Sequence, residues 1–94
     1  MTAIRYERDS NVVAREIAGE RILVPIRTQA ADMTAIYVLN ETGARIWDLF
    51  DGERSVSEIE EIIVGEYDVS RETAGADIAQ MVAQLEGLGM LRAS

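Results

Sequence analysis

The hydrophobic pattern of the chain changes from strand-like to helix-like within one stretch, VLNETGARIWDLFDG at residues 38–52. Asn40 is a favoured helix N-cap, and the large apolar residues Ile46 and Trp47 follow it at positions that suit one helix face. The stretch therefore predicts a first helix over residues 41–50, preceded by strands and followed by a turn.

Three strands are predicted before this stretch, at residues 11–18, 21–28 and 33–39. Their β-branched residues alternate or occur in short runs, as in half-buried strands. Gly19-Glu20 predicts a two-residue, Gly-first turn of type II′. Pro25 cannot donate a ladder hydrogen bond, so the second strand is either unpaired on one side there or bulged. Because the links are too short for parallel crossovers, we expect an antiparallel meander.

Two further helices are predicted after residues 38–52. Ser55 and Glu58 have the spacing of a capping box and begin a second helix that closes at Tyr67. Ser70 caps a third helix, in which apolar residues recur on one face as far as Leu88. A run of strands followed by a run of helices is typical of an α+β domain.

The length of 94 residues suits one domain with a single core. With 48% hydrophobic and 28% charged residues, the composition lies in the ordinary globular range. We therefore predict one domain over residues 1–94, with residues 1–10 as a flexible N-terminal segment.

Most enzyme chemistry is excluded by residue types that the chain lacks. It has no Cys and no His, which removes thiolate and imidazole metal sites and the usual nucleophile arrangements. Its seven glycines never fall into a phosphate-binding spacing. The many glutamates between apolar helix positions are typical of a solvated face, and Trp47 and Phe50 are predicted core residues. We expect a protein that is not an enzyme and has no cofactor and no metal.

The charge of the chain argues against nucleic acid as a partner. Nine basic and seventeen acidic residues give a net charge of −8, which repels phosphate backbones. The N-terminus is charged and lacks the apolar core of a signal peptide, and the longest uninterrupted apolar run is residues 22–26. These observations predict a cytoplasmic protein with neither a membrane nor a nucleic-acid partner.

Two features suggest a binding surface. Residues 33–38 carry no charge and no Pro, so this strand could pair with another chain if it lies at a sheet edge; the alternative is a central or covered strand. On the third helix, Gly75, Ala79 and Val82 form a flank of small and apolar residues beside the core face. A groove between this flank and an open strand would suit the addition of a peptide strand.

Several motifs along the chain are shared with one protein family. The longest is residues 38–52, and the others involve Gly19, Glu20, Leu23, Ser55, Val56, Glu58, Ile59, Tyr67, Asp68, Val69, Asp77, Ile78, Val82, Leu85, Gly89 and Leu91. From about Asn11 onward the chain resembles the PqqD family, named for pyrroloquinoline quinone biosynthesis and related to recognition domains of ribosomally made, modified peptides. Residues 39–52 are the most specific part of the resemblance.

The resemblance implies a winged-helix-turn-helix-like domain, in which a three-stranded antiparallel sheet is followed by three helices. It also implies an adaptor that performs no chemistry, binds the leader of a precursor peptide as an added strand, and presents it to a modifying enzyme, commonly a radical SAM enzyme. Strand and flank together predict these peptide-binding residues: Met33, Thr34, Ala35, Ile36, Tyr37, Val38, Leu39, Gly75, Ile78, Ala79, Met81 and Val82.

Two alternative functions use the same architecture. An oligomerisation module would pair the open strand with its own copy, so the adaptor is expected as a monomer or a homodimer. A winged-helix DNA-binding protein would need basic residues on its recognition helix, but between Ser70 and Leu91 the only one is Arg71. The peptide-binding adaptor is the function that the sequence favours.

Overall fold

The computed structural model describes residues 4–25 and 36–94. Within these ranges the chain forms six short strands and three helices, which confirms an α+β fold with antiparallel sheets. The strands are β1 (Arg5–Arg8), β2 (Val12–Ile17), β3 (Glu20–Pro25), β4 (Tyr37–Leu39), β5 (Asp51–Ser55) and β6 (Leu91–Ala93), and the helices are α1 (Glu41–Leu49), α2 (Val56–Glu66) and α3 (Arg71–Gly87).

The predicted meander is present as the sheet β2-β3-β4, with β3 in the centre and both pairings antiparallel. Leu23 of β3 lies opposite Tyr37 of β4, and its side chain is fully buried. The predicted third strand began at Met33, but Met33, Thr34 and Ala35 lie outside the described residues. The described part of that strand is β4, preceded by Ile36.

The turn between β2 and β3 differs from the prediction. Ile17 pairs with Glu20, so the two turn residues are Ala18 and Gly19 rather than Gly19 and Glu20. Both have positive φ, 54° at Ala18 and 84° at Gly19, as a type I′ turn requires. The type II′ prediction is wrong because Glu20 is already part of the ladder.

A second sheet, β5-β1-β6, was not predicted. Its central strand β1 is antiparallel to both neighbours, with Glu7 opposite Asp51 on one side and Arg92 on the other. The expected flexible segment at residues 1–10 is therefore wrong for Arg5–Arg8. The sequence of β1, RYER, has no apolar alternation, so only its pairing with distant segments makes it a strand.

The predicted turn at Asp51-Gly52 is the start of β5. The Asp51 carboxylate accepts the backbone N–H groups of Glu53 and Arg54 at 2.9 Å, and these bonds hold its pKa below the ordinary value. Gly52 has a φ of +82°, which glycine adopts without strain. The chain therefore turns and re-enters a strand between α1 and α2, which interrupts the predicted uninterrupted run of helices.

The predicted helix starts are confirmed. Asn40 caps α1 by accepting the N–H of Gly43 at 2.8 Å. Ser55 and Glu58 form both bonds of the capping box on α2, and Ser70 caps α3. These caps satisfy N–H groups that have no partner within the helix.

The core lies between the three helices and the inner faces of the sheets. Trp47 and Phe50 are buried as predicted, beside Ile59 and Ile63 of α2. The fully buried side chains of α3 are Ile78 and Leu85. Leu88, which the helical pattern put on the core face, is exposed because α3 ends at Gly87.

Candidate functional site

Strand β4 lies at the edge of its sheet. It pairs with β3 through residues 21–23, and no strand of the described chain lies on its other side. Its side chains alternate: Leu39 is buried, whereas Val38 and the preceding Ile36 are 54% and 57% exposed. Within residues 4–25 and 36–94, β4 is therefore an edge strand rather than a central one, and such an edge can accept another strand.

A groove of about 320 Å³ separates β4 from α3. We call it the strand–helix groove, and it is lined by Tyr37, Val38, Leu39, Asn40, Thr42, Gly43, Ile46, Val69, Asp77, Gln80, Met81 and Gln84. Leu39, Ile46 and Met81 are buried and give it an apolar floor. Its rim consists of amide, hydroxyl and carboxylate groups, which can position an extended peptide by hydrogen bonding.

One end of the groove is formed by the start of α1. A Cβ on Gly43 would lie 3.2 Å from both the Oδ1 atom of Asn40 and a methyl carbon of Leu39. A larger residue at position 43 would therefore require the side chains of Asn40 and Leu39 to shift by a few tenths of an ångström. Gly43 belongs to the motif at residues 38–52 on which the sequence analysis relied.

The two walls of the groove are connected by a hydrogen bond. Tyr37 of β4 is half-buried, and its hydroxyl donates to the Oε1 atom of Gln84 on α3. A polar side chain on α3 is thereby held toward the strand.

Asp77 is the one charged side chain that lines the groove. It has no ion-pair partner among residues 4–25 and 36–94. The nearest cation of α1, Arg45, is paired with Glu66 by two hydrogen bonds of 2.8 Å. These bonds lower the pKa of Glu66 and raise that of Arg45, and they tie α1 to the end of α2.

The predicted peptide-binding residues divide between two surfaces. Tyr37, Val38, Leu39 and Met81 line the strand–helix groove, and Ile36 adjoins it along the strand. The predicted flank of α3 lies elsewhere: Gly75, Ile78, Ala79 and Val82 line a separate concave surface shared with β1 and α2. The expectation that this flank faces the open strand is therefore wrong. Ile78 is also fully buried and belongs to the core.

The face of α3 that does line the groove carries Asp77, Gln80 and Gln84 together with Met81. The sequence analysis did not select the three polar residues, because a polar row on an amphipathic helix is typical of a solvated face. Their spacing of three and four residues could have indicated one common face, but not that this face meets β4.

A profile of the family described as Coenzyme PQQ synthesis protein D (PqqD) matches residues 20–91. The chain belongs to the PqqD family. The match includes the open strand, the groove and all three helices.

Two solved structures have the same fold. TbiB1 in complex with the TbiA(beta) leader peptide is 26% identical, with a TM-score of 0.72 over 92% of this chain and 94% of that one. Lasso peptide synthetase B1 complexed with the leader peptide is 23% identical, with a TM-score of 0.75 over 94% and 98% of the two chains. No curated protein matches the chain in sequence.

None of the helices that the structure describes is long and apolar enough to cross a membrane. No group of three or more carboxylates in residues 4–25 and 36–94 is arranged to hold a metal ion.

Proposed function

We propose that this protein is a non-catalytic adaptor that binds the leader of a ribosomally made precursor peptide in the strand–helix groove. The leader adds as a strand to the open edge of β4, and its side chains enter the space between β4 and α3. Residues 36–39 supply the strand, and Asp77, Gln80, Met81 and Gln84 supply the helix wall.

The observation that carries this proposal is the open, uncharged edge of β4 facing a groove with an apolar floor. Backbone groups at such an edge give affinity for any extended peptide, and the floor and rim select its side chains. The exposed Val38 and Ile36 would otherwise stand in water at an unprotected edge, which soluble domains normally block with charge or Pro.

The family and the two neighbouring structures support the same function. Both neighbours are complexes with leader peptides, and they share the fold over almost the whole chain. The net charge of −8 and the Asp77 carboxylate in the groove favour a leader that carries a basic residue near its apolar anchors.

The proposal includes a second partner, an enzyme that modifies the delivered peptide. The resemblance seen in the sequence favours a radical SAM enzyme, whereas one neighbouring structure is a lasso peptide synthetase component. The adaptor itself has no catalytic step in this proposal, and its work is to raise the local concentration of the peptide at the enzyme.

Affinity capture from the native host tests the proposal. The tagged chain and a Gln80→Arg variant are expressed there, and bound peptides are identified by mass spectrometry. We expect the wild type to retain a short precursor peptide and the variant to lose it, because the longer cation fills the groove beside the strand. Fluorescence anisotropy with a synthetic copy of the captured leader then gives the affinity.

Recovery of only further copies of the chain would contradict the proposal and favour an oligomerisation module that uses the same edge. A peptide that binds wild type and Gln80→Arg equally would place the binding site outside the groove. Circular dichroism of both proteins controls for folding.

A further inference from the structure

A second concave surface lies on the opposite side of α3 from the strand–helix groove. We call it the α2–α3 surface; its apolar part is formed by Ile4, Tyr6, Val56, Ala79 and Ala83. Ile4 is 55% exposed, although it precedes the central strand of a sheet. Apolar residues from three separated segments of the chain thus meet at one place in contact with solvent.

Small residues of α3 line this surface, among them Gly75, Ala79 and Ala83. A Cβ on Gly75 would lie 3.0 Å from the Oε2 atom of Glu60, so the Glu60 carboxylate would have to move aside for a larger residue. Ala79 and Ala83 continue the row of small residues along α3. The row lies opposite Ile4 and Tyr6 across a depression of about 320 Å³.

The charged groups at this surface are both acidic. Among the described residues that line it, Glu60 and Glu86 are the only ionisable ones besides Tyr6. Glu60 is paired with Arg71 at 3.0 Å, whereas Glu86 makes no ion pair within the described chain. Burial and, to a smaller extent, the nearby Glu86 carboxylate raise the pKa of Tyr6. The chemistry therefore fits an apolar side chain with an Arg or Lys beside it.

We propose that the α2–α3 surface binds the modifying enzyme, through an apolar residue of that enzyme flanked by a basic one. This inference rests on the proposed function, because an adaptor must contact the peptide and the enzyme at the same time. The two surfaces lie on opposite flanks of α3, so a leader in the strand–helix groove leaves the α2–α3 surface free. The body of α3 connects the two sites.

Two adjacent residues of α3 allow a direct test. Ala79 lines the α2–α3 surface and Gln80 lines the strand–helix groove, and both side chains are exposed. The photo-crosslinking amino acid p-benzoylphenylalanine is introduced at one position or the other in the full chain, in native host cells. After irradiation, the adducts are identified by mass spectrometry.

We expect the probe at Gln80 to capture the precursor peptide and the probe at Ala79 to capture an enzyme that modifies this same peptide in vitro. The attachment site on that enzyme should contain an apolar residue next to Arg or Lys. A probe at Ala83 repeats the measurement if the one at Ala79 impairs folding. Glu86→Lys should lower the amount of captured enzyme at least tenfold, while Glu20→Lys on the distant hairpin, with the same change in charge, should not.

The inference is overturned if the probes at Ala79 and Ala83 capture the precursor peptide, a second copy of the chain, a protein without activity on the peptide, or nothing. It is also overturned if Glu86→Lys and Glu20→Lys behave alike. Failure of the proposed function has a different signature, since it appears as loss of the peptide adduct at Gln80.

Discussion

Tyr37 on β4 and Gln84 on α3 are joined by a hydrogen bond, so a single pair of side chains connects the two walls of the strand–helix groove. Leu39 and Met81, which also line the groove, are buried residues of the hydrophobic core. The groove thus combines a polar bridge between its walls with buried apolar side chains in its lining.

The Tyr37–Gln84 bond should contribute modestly to stability, because it is exposed to water. Tyr37→Phe removes the donor and Gln84→Ala removes the acceptor. A double-mutant cycle by urea denaturation should give a coupling of about 0.5–1.5 kcal/mol. Additive effects of the two substitutions on the free energy of unfolding would show that the two side chains do not interact in solution.

Ile36→Asp should weaken binding of the captured leader at least tenfold, since it places a charge at the start of the open strand. Ile17→Asp is the matched control, because Ile17 is 56% exposed, nearly the same as Ile36, but ends β2 at the far edge of the same sheet. Fluorescence anisotropy measures both affinities. Equal losses for the two variants would contradict strand addition at β4.

Trp47→Ala should lower the free energy of unfolding by about 3–5 kcal/mol, because the indole is only 3% exposed and its removal leaves a cavity. Trp47→Phe keeps part of the ring and should cost less. Trp47 is the single Trp, so its emission in the wild type should be blue-shifted and report unfolding directly. A loss below about 1 kcal/mol would mean that the side chain is not a core residue.

Ala18→Asn should raise the free energy of unfolding by about 0.5–1 kcal/mol. Ala18 has a φ of 54°, which is costly for Ala and tolerated by Asn, and Asn-Gly is the preferred pair in type I′ turns. Ala14→Asn, in the middle of β2, is the control and should lower stability instead. Thermal denaturation distinguishes the two, and a destabilising Ala18→Asn would argue against the type I′ turn.

The ion pair between Arg45 and Glu66 should make stability depend on pH in the acid range. The pKa of Glu66 in the folded protein is held below its ordinary value of 4.5 by the Arg45 hydrogen bonds. The pair therefore stabilises the fold above pH 4.5, and this contribution is lost as the pH falls through the lowered pKa. Glu66→Gln should be less stable than wild type at pH 7, and the difference should narrow towards pH 3.

Urea denaturation at the two pH values measures that difference, and Glu20→Gln serves as a control because Glu20 has no ion pair within the described residues. If Glu66→Gln and wild type differ in free energy of unfolding by the same amount at both pH values, the ion pair between Arg45 and Glu66 is not the source of the difference.

The helices were predictable because their signals are local. Asn40, Ser55 and Ser70 each cap an N–H group three residues away, so the side chain and its target lie within the same short segment. The β2–β3 hairpin was predictable for the same reason, although its turn type was not. A shift of one residue in the pairing changes which residues occupy the turn.

The second sheet was not predictable from local pattern. Strand β1 pairs with β5 and β6, which come from the middle and the end of the chain. Its charged sequence carries no strand signal, and its pairing is a property of the assembled fold rather than of the segment.

The sequence by itself determined the three helices, the antiparallel hairpin, the uncharged strand and the row of small residues on the third helix. Only the tertiary structure decided that this row faces away from the strand, and that Asp77, Gln80 and Gln84 face it instead. Helical periodicity gives the angle between two side chains around the helix axis, but it does not give the rotation of the helix relative to the sheet. That rotation is set by how Ile78 and Leu85 pack in the core, through contacts with segments far away in the chain.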